Sequence, residues 1–174
     1  ASATATATVS QVAASVTLSP TALTFTALGD TTQLTATVKD AGEAVMVGAT
    51  VSWATTTPSV ATVSSEGLVT SVTNGTATIT ATSGAANATA AVTIAQTAAS
   101  IVLSDTLLTF PSLGDTTQLT VTVKDAGGAV IAGATVSWAT SAASVATVSD
   151  GGLVTSVADG TATVTATSGS TSAT

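Results

Sequence analysis

Hydrophobic and polar residues alternate with a period of two along most of the chain. In "TTQLTATVKD", the apolar Leu34, Ala36 and Val38 are separated by hydroxyl, amide and amino side chains. Successive side chains of a β-strand point to opposite faces, so this pattern predicts strands with one buried and one solvent-facing side. Thr and Val, which are frequent in these segments, also favour strands. We therefore expect an all-β protein without helices.

Turn-forming residues separate the predicted strands at nearly regular intervals. The Asp-Ala-Gly sequences at 40–42 and 125–127 suit tight turns. Asn74–Gly75 and Asp159–Gly160 are typical of two-residue hairpin loops. About seven short strands are predicted in each half of the chain, which is the pattern of a β-sandwich.

The chain contains an internal duplication with an offset of 85 residues. The segment "LGDTTQLTATVKDAG" at 28–42 returns as "LGDTTQLTVTVKDAG" at 113–127, and "ATVSWAT" occurs around both tryptophans. The same offset aligns the N-terminal segment with the end of the first copy. The predicted organisation is therefore a last strand of a preceding or neighbouring repeat at 1–15, a first repeat at 16–97, and a second repeat at 98–174 that lacks its last strand.

The N-terminal strand needs a partner that the chain does not itself supply. A sandwich without its last strand exposes core and an unpaired sheet edge, which favours addition of a strand. We expect Ala5, Ala7 and Val9 to be buried against another copy or an adjacent repeat of the same protein. Two arrangements stay open: the 174 residues are a window on a longer covalent array, or they form a subunit whose N-terminal strand inserts into the next copy.

Several segments together resemble the group 2 bacterial immunoglobulin-like domain. They are "LTFTALGDTTQLTATV", "VSWAT", "SVATVS", "GLVTSV" and "NGTATITATSG", and the resemblance covers practically the whole chain. It implies tandem immunoglobulin-like β-sandwiches at an extracellular or cell-surface location, with no catalytic residues. The family contributes modules to adhesins of the intimin and invasin type, to other secreted bacterial proteins and to some phage structural proteins.

Composition excludes several classes of function. The net charge is −7 and the only cations are Lys39 and Lys124, so no basic patch is available for nucleic acid. No stretch of eighteen apolar residues exists, so membrane insertion is not expected. The chain has no His and no Cys, which removes the commonest catalytic bases and metal ligands. We predict no enzyme activity and no cofactor.

The carboxylates and the aromatic residues each have a structural interpretation. Most Asp residues lie beside Gly or in the Asp-Ala-Gly sequences, where a short acceptor stabilises a turn, so no metal is predicted. The alternative is calcium at a junction between modules, with Asp105 as a candidate ligand. For Trp53 and Trp138 the alternative is stacking on a sugar. The residues predicted to pack in the two cores are Trp53, Trp138, Phe25 and Phe110.

The leading functional hypothesis is a structural module that forms rods of stacked domains in a bacterial surface filament or adhesin stalk. The predicted linker "AQTAAS" is short and has neither Gly nor Pro, which limits its freedom. One alternative is an adhesive module that binds a glycan or receptor, and another is a phage structural or decoration protein.

Overall fold

The computed structural model describes all of residues 1–174 as an all-β chain without helices. Its contacts divide it into two compact units. The first comprises Ala1–Phe25 and Gly29–Ile94, and the second comprises Thr26–Leu28 and Ala95–Thr174. The predicted fold class is confirmed, although each unit has more strands than the seven expected.

The first unit contains nine strands in three sheets. A four-stranded sheet has the order β2-β9-β8-β5, a three-stranded sheet has the order β3-β7-β6, and β1 pairs with β4. The strands are β1 (Ser15–Ser19), β2 (Ala22–Phe25), β3 (Thr31–Gln33), β4 (Thr35–Lys39), β5 (Ser52–Thr55), β6 (Ala61–Val63), β7 (Leu68–Ser71), β8 (Gly75–Ser83) and β9 (Ala86–Ile94).

The long hairpin of β8 and β9 organises the core of the first unit. Its register runs from Ser83 opposite Ala86 to Gly75 opposite Ile94, and β2 adds in parallel along the outer half of β9. Alternate residues of these strands face the interior, as the period of two predicts. The buried hydrophobic side chains of the three strands are Leu23, Phe25, Ala77, Ile79, Ala81, Ala90, Val92 and Ile94.

The second unit repeats this architecture with eight strands. Its sheets have the orders β13-β16-β17 and β11-β15-β14, and β10 pairs with β12. No strand corresponds to β2, and β17 covers only the start of the segment that corresponds to β9. The strands are β10 (Ser100–Leu103), β11 (Thr116–Gln118), β12 (Val121–Lys124), β13 (Ser137–Thr140), β14 (Ala146–Val148), β15 (Leu153–Ser156), β16 (Val164–Ser168) and β17 (Thr171–Ala173).

The prediction of a hairpin at Asn74–Gly75 is wrong. These residues connect β7 to β8, which belong to different sheets and do not pair. The N–H groups of Val72 and Thr73 bond instead to the carbonyl of Val60, so the chain crosses from one sheet to the other. Asp159–Gly160 likewise follows β15 and precedes β16 of another sheet. A two-residue loop reverses the chain into a hairpin only when its flanking strands pair, and pairing is decided by packing beyond the turn.

Candidate functional site: an open strand groove and two aspartate turns

The second unit contains an open cavity of about 490 Å³ beside β16, lined by polar and apolar groups. Hydrophobic side chains from several elements line it, together with polar residues that include Asp105 and Asp159. It lies where the first unit places the outer half of β9. The apolar residues that line it include Leu103, Leu107, Leu108, Phe110, Leu119, Val145, Val154 and Val164.

One edge of this cavity is a segment that pairs with a neighbouring strand in the first unit but not in the second. In the first unit, Gly75–Thr78 pairs with the outer half of β9, from Ala91 to Ile94. The identical sequence at Gly160–Thr163 forms no strand in the second unit, where β17 pairs only with Ala166–Ser168. The cavity is therefore an open groove bordered by a segment that pairs with a strand in the first unit and not in the second.

The segment that corresponds to β2 is less buried in the second unit than in the first. Phe25 is buried in the first unit, where β2 pairs with β9. Its counterpart Phe110 is half-buried, and so is Leu108, the counterpart of the buried Leu23. The hydrophobic residues that would close the core of the second unit thus remain accessible from the groove.

The predicted partner strand is fully accessible in this chain. Residues 1–14 form no strand, and Ala5, Ala7 and Val9 are exposed, with Val9 91% exposed. The structure does not bring these three residues together with the groove in one unit, since the N-terminal segment belongs to the first unit. Their burial against a partner stays a prediction.

Each tryptophan is half-buried and lies over a glycine of its own unit. A Cβ added to Gly67 would stand 2.6 Å from Cζ2 of Trp53, and one added to Gly152 would stand 2.8 Å from Cζ2 of Trp138. The rings are therefore covered on one side by the chain. Their full burial in the two cores stays a prediction, with a sugar contact as the alternative.

The aspartates of the two Asp-Ala-Gly turns cap their own backbone, as predicted. Oδ1 of Asp40 accepts hydrogen bonds from the N–H groups of Gly42 and Ala44, both at 3.0 Å. Oδ1 of Asp125 accepts one from the N–H of Ala129 at 2.8 Å. These bonds confirm the turn interpretation of the two carboxylates.

The sequence did not reveal the glutamine that binds each turn aspartate. Gln11 donates to Oδ2 of Asp40 at 2.9 Å, and Gln96 donates to Oδ2 of Asp125 at 2.8 Å. Each of these bonds is the largest cause that holds the pKa of its aspartate below the ordinary value. The sequence does contain a signal for this pairing, because the two glutamines are separated by the same 85-residue offset as the two aspartates.

The model of the bacterial Ig-like domain (group 2) matches residues 12–94 and 99–174. The chain belongs to this family. The resemblance inferred from the strand motifs is thereby confirmed. No characterised protein matches the chain in sequence.

Several solved structures are similar to this bacterial Ig-like chain. The S-layer protein rSbsC(31–844) is 23% identical with a TM-score of 0.44, over 94% of this chain and 28% of that one. Domains 5–6 of the S-layer protein SbsC are 20% identical with a TM-score of 0.45, over 94% of both chains. The Escherichia coli adhesin FdeC is 23% identical with a TM-score of 0.45, over 88% of this chain and 58% of that one. The chain thus spans less than a third of the first of these structures.

Two further features bear on the range of possible sites. No group of three or more acidic, His or Cys side chains is placed where it could hold a metal ion. No helix capable of crossing a membrane is present.

Proposed function

We propose that the chain is a non-catalytic structural module of an extracellular bacterial surface filament or adhesin stalk, in which Ig-like domains stack into a rod. The open groove of the second unit carries this proposal. A strand from another copy or an adjacent repeat would fill it and extend the sheet through main-chain hydrogen bonds. A head-to-tail contact of this kind propagates along one direction, as a filament requires.

The N-terminal segment has the side chains that this groove requires. At the 85-residue offset, Ala5, Ala7 and Val9 take the places of Ala90, Val92 and Ile94, which are all buried in the first unit. Each incoming side chain is as large as its counterpart or smaller, so the strand fits without overpacking. The intervening threonines would face solvent, as the residues between the buried ones of β9 do.

A pair of charge-matched variants tests strand completion in the full chain. Val9→Asp places a carboxylate on the inward face of the proposed strand, whereas Thr8→Asp places one on its outward face. We expect sedimentation velocity to show end-to-end oligomers for the wild type and for Thr8→Asp, and monomers for Val9→Asp, because a buried unpaired charge is costly. Association of Val9→Asp at wild-type strength would contradict strand completion.

Immunogold labelling of cells that carry the gene tests the surface role. Gold along extracellular filaments or stalks would support the proposal. Gold confined to a distal tip would favour a glycan- or receptor-binding module, and gold on virus particles would favour a phage structural protein. Gold confined to the cytoplasm would overturn the proposal.

A further inference from the structure

We infer that the Asp40 turn is a second docking site, which receives the Pro111–Gly114 turn of a second copy of this chain. The inference rests on the proposed function, because it supplies a second contact between the two copies that strand completion joins. It is drawn from the corresponding turn at Asp125, which is occupied within the second unit.

Two hydrogen bonds hold the Thr26–Leu28 segment at this site, one to the Asp125 side chain and one from the main chain of Thr97. Oδ2 of Asp125 accepts from the N–H of Leu28 at 2.9 Å, in addition to the bond from Gln96. The N–H of Thr97 donates to the carbonyl of Thr26 at 3.0 Å. Asp125 is only 3% exposed in this arrangement.

The Asp40 turn has the same construction with one position open. Gln11, Gly42 and Ala44 donate to its carboxylate, as their counterparts do in the second unit. No segment corresponds to Thr26–Leu28, and Val12, the counterpart of Thr97, is 74% exposed. The Asp40 side of the proposed contact is therefore already formed before a second copy docks.

The second unit presents the matching segment without a partner. Pro111–Leu113 corresponds to Thr26–Leu28 at the 85-residue offset. The N–H of Leu113 forms no hydrogen bond within the chain, and its side chain is 66% exposed. Ser112 is exposed, whereas its counterpart Ala27 is 1% exposed. The chain thus has both halves of one contact, so a second copy can supply the half that each turn lacks.

Docking of this turn is compatible with strand completion between the same two copies. Pro111, Ser112 and Leu113 line the open groove that would accept the strand. Gln11 follows Val9 by two residues, just as Gln96 follows Ile94. A strand seated in the groove would therefore be followed by Gln11, which bonds to Asp40 as Gln96 bonds to Asp125.

Alanine at position 42 should fit in the free chain but should clash with the second copy in the docked pair. A Cβ on Gly127 would stand 2.9 Å from the carbonyl oxygen of Leu28, a backbone atom that cannot move aside cheaply. A Cβ on Gly42 would meet only Oδ1 of Asp40, at 3.4 Å. Neither glycine has a positive φ, so alanine is conformationally allowed at both positions.

The experiment compares self-association of full-length Gly42→Ala, Asp40→Ala and wild-type chains by sedimentation. We expect Gly42→Ala to raise the dissociation constant about tenfold or more, with an unchanged melting temperature, because the added methyl group overpacks the contact. Asp40→Ala should weaken association as well, because it removes the acceptor. The controls are Gly151→Ala, whose Cβ would meet nothing closer than 3.8 Å, and the charge-matched Asp150→Ala at an exposed turn.

The outcomes separate this site from strand completion. Wild-type association of Gly42→Ala, while Val9→Asp stays monomeric, would overturn the docking site and leave strand completion in place. Weakened Gly42→Ala with unaffected Val9→Asp would support the docking site and overturn strand completion. A wild-type chain that stays monomeric at the highest soluble concentration would overturn both.

Discussion

At the scale of single residues, two glycines determine how the tryptophan rings lie against their units. Gly67 has φ of 85° and Gly152 has φ of 82°, a region that L side chains rarely adopt. The missing Cβ also leaves room for the indole ring above each of them. Glycine is therefore required at each position by the backbone conformation and also by the space that the indole ring occupies.

Gly67→Ala should destabilise the first unit more than Gly29→Ala does. The two positions have nearly the same φ, 85° and 81°, so both substitutions incur the left-handed strain of about 1–2 kcal/mol. A Cβ at Gly67 would meet the ring of Trp53 and the carbonyl oxygen of Leu34, whereas nothing stands within 4 Å of a Cβ at Gly29. We expect an additional loss of about 1–3 kcal/mol at Gly67 from overpacking, measured by urea unfolding. Equal losses at both positions would show that the ring contact is unimportant.

Asp125 should make the second unit sensitive to acid. Hydrogen bonds from the Gln96 side chain and the Leu28 N–H lower the pKa of its carboxyl from the ordinary 3.8. A lowered folded-state pKa means that the stabilisation is present above the unfolded pKa and is lost as pH falls through the folded pKa. We expect the melting temperature to drop below about pH 4. In Asp125→Asn the drop should be shallower, and parallel melting curves for the two proteins would contradict this assignment.

At the scale of secondary-structure elements, one sequence adopts two structures. The "GTAT" segment is the start of β8 in the first unit and is not a strand at 160–163 in the second. Local sequence preference is the same at both places, so the difference comes from the partner strand. The outer half of β9 supplies that partner for the first copy only.

Hydrogen exchange should distinguish the two copies of this segment. Their intrinsic exchange rates are nearly equal because the residues are identical, so protection reports pairing directly. Thr78 and Thr163 are set aside, because the N–H of each bonds to a hydroxyl side chain of its own unit. In monomeric chains we expect amides at 75–77 to exchange at least about a hundredfold more slowly than those at 160–162. Association should protect 160–162 in the wild type but not in Val9→Asp. Equal protection of both segments in the monomer would rule out an open edge.

At the scale of the whole molecule, the two units differ in how completely their cores are closed. Most of the buried hydrophobic side chains belong to the first unit, including the apolar residues of β2, β8 and β9. The corresponding part of the second unit is the 490 Å³ groove. Hydrophobic burial is the main favourable term in folding, so the second unit has less of it to offset the loss of chain entropy.

Calorimetry of the monomeric chain should therefore show the second unit unfolding at the lower temperature. The core substitution Val154→Ala should lower only this transition, and Val69→Ala, its counterpart in the first unit, should lower only the other. Association should raise the lower transition, because binding to the folded state stabilises it. One cooperative transition, lowered equally by both substitutions, would contradict a difference between the units.

The sequence by itself determined the features that depend on near neighbours along the chain. The period of two identified the strands and the buried face of residues such as Leu34 and Val38. The 85-residue offset identified the duplication, and the strand motifs identified the family. The turn role of Asp40 was also predictable, because an Asx turn is formed with the next few residues.

Only the tertiary structure decided which segments pair and what each aspartate binds. Asn74–Gly75 has the sequence of a hairpin loop, yet it joins two sheets because β7 and β8 pair with other strands. Gln96 meets Asp125 across 29 residues, and no local pattern encodes that distance. Strand pairing is set by partners remote in sequence, and a pattern of alternation is equally satisfied by any of them. For the same reason the sequence predicted an unpartnered strand, but the shape of the groove that could accept it emerged only with the fold.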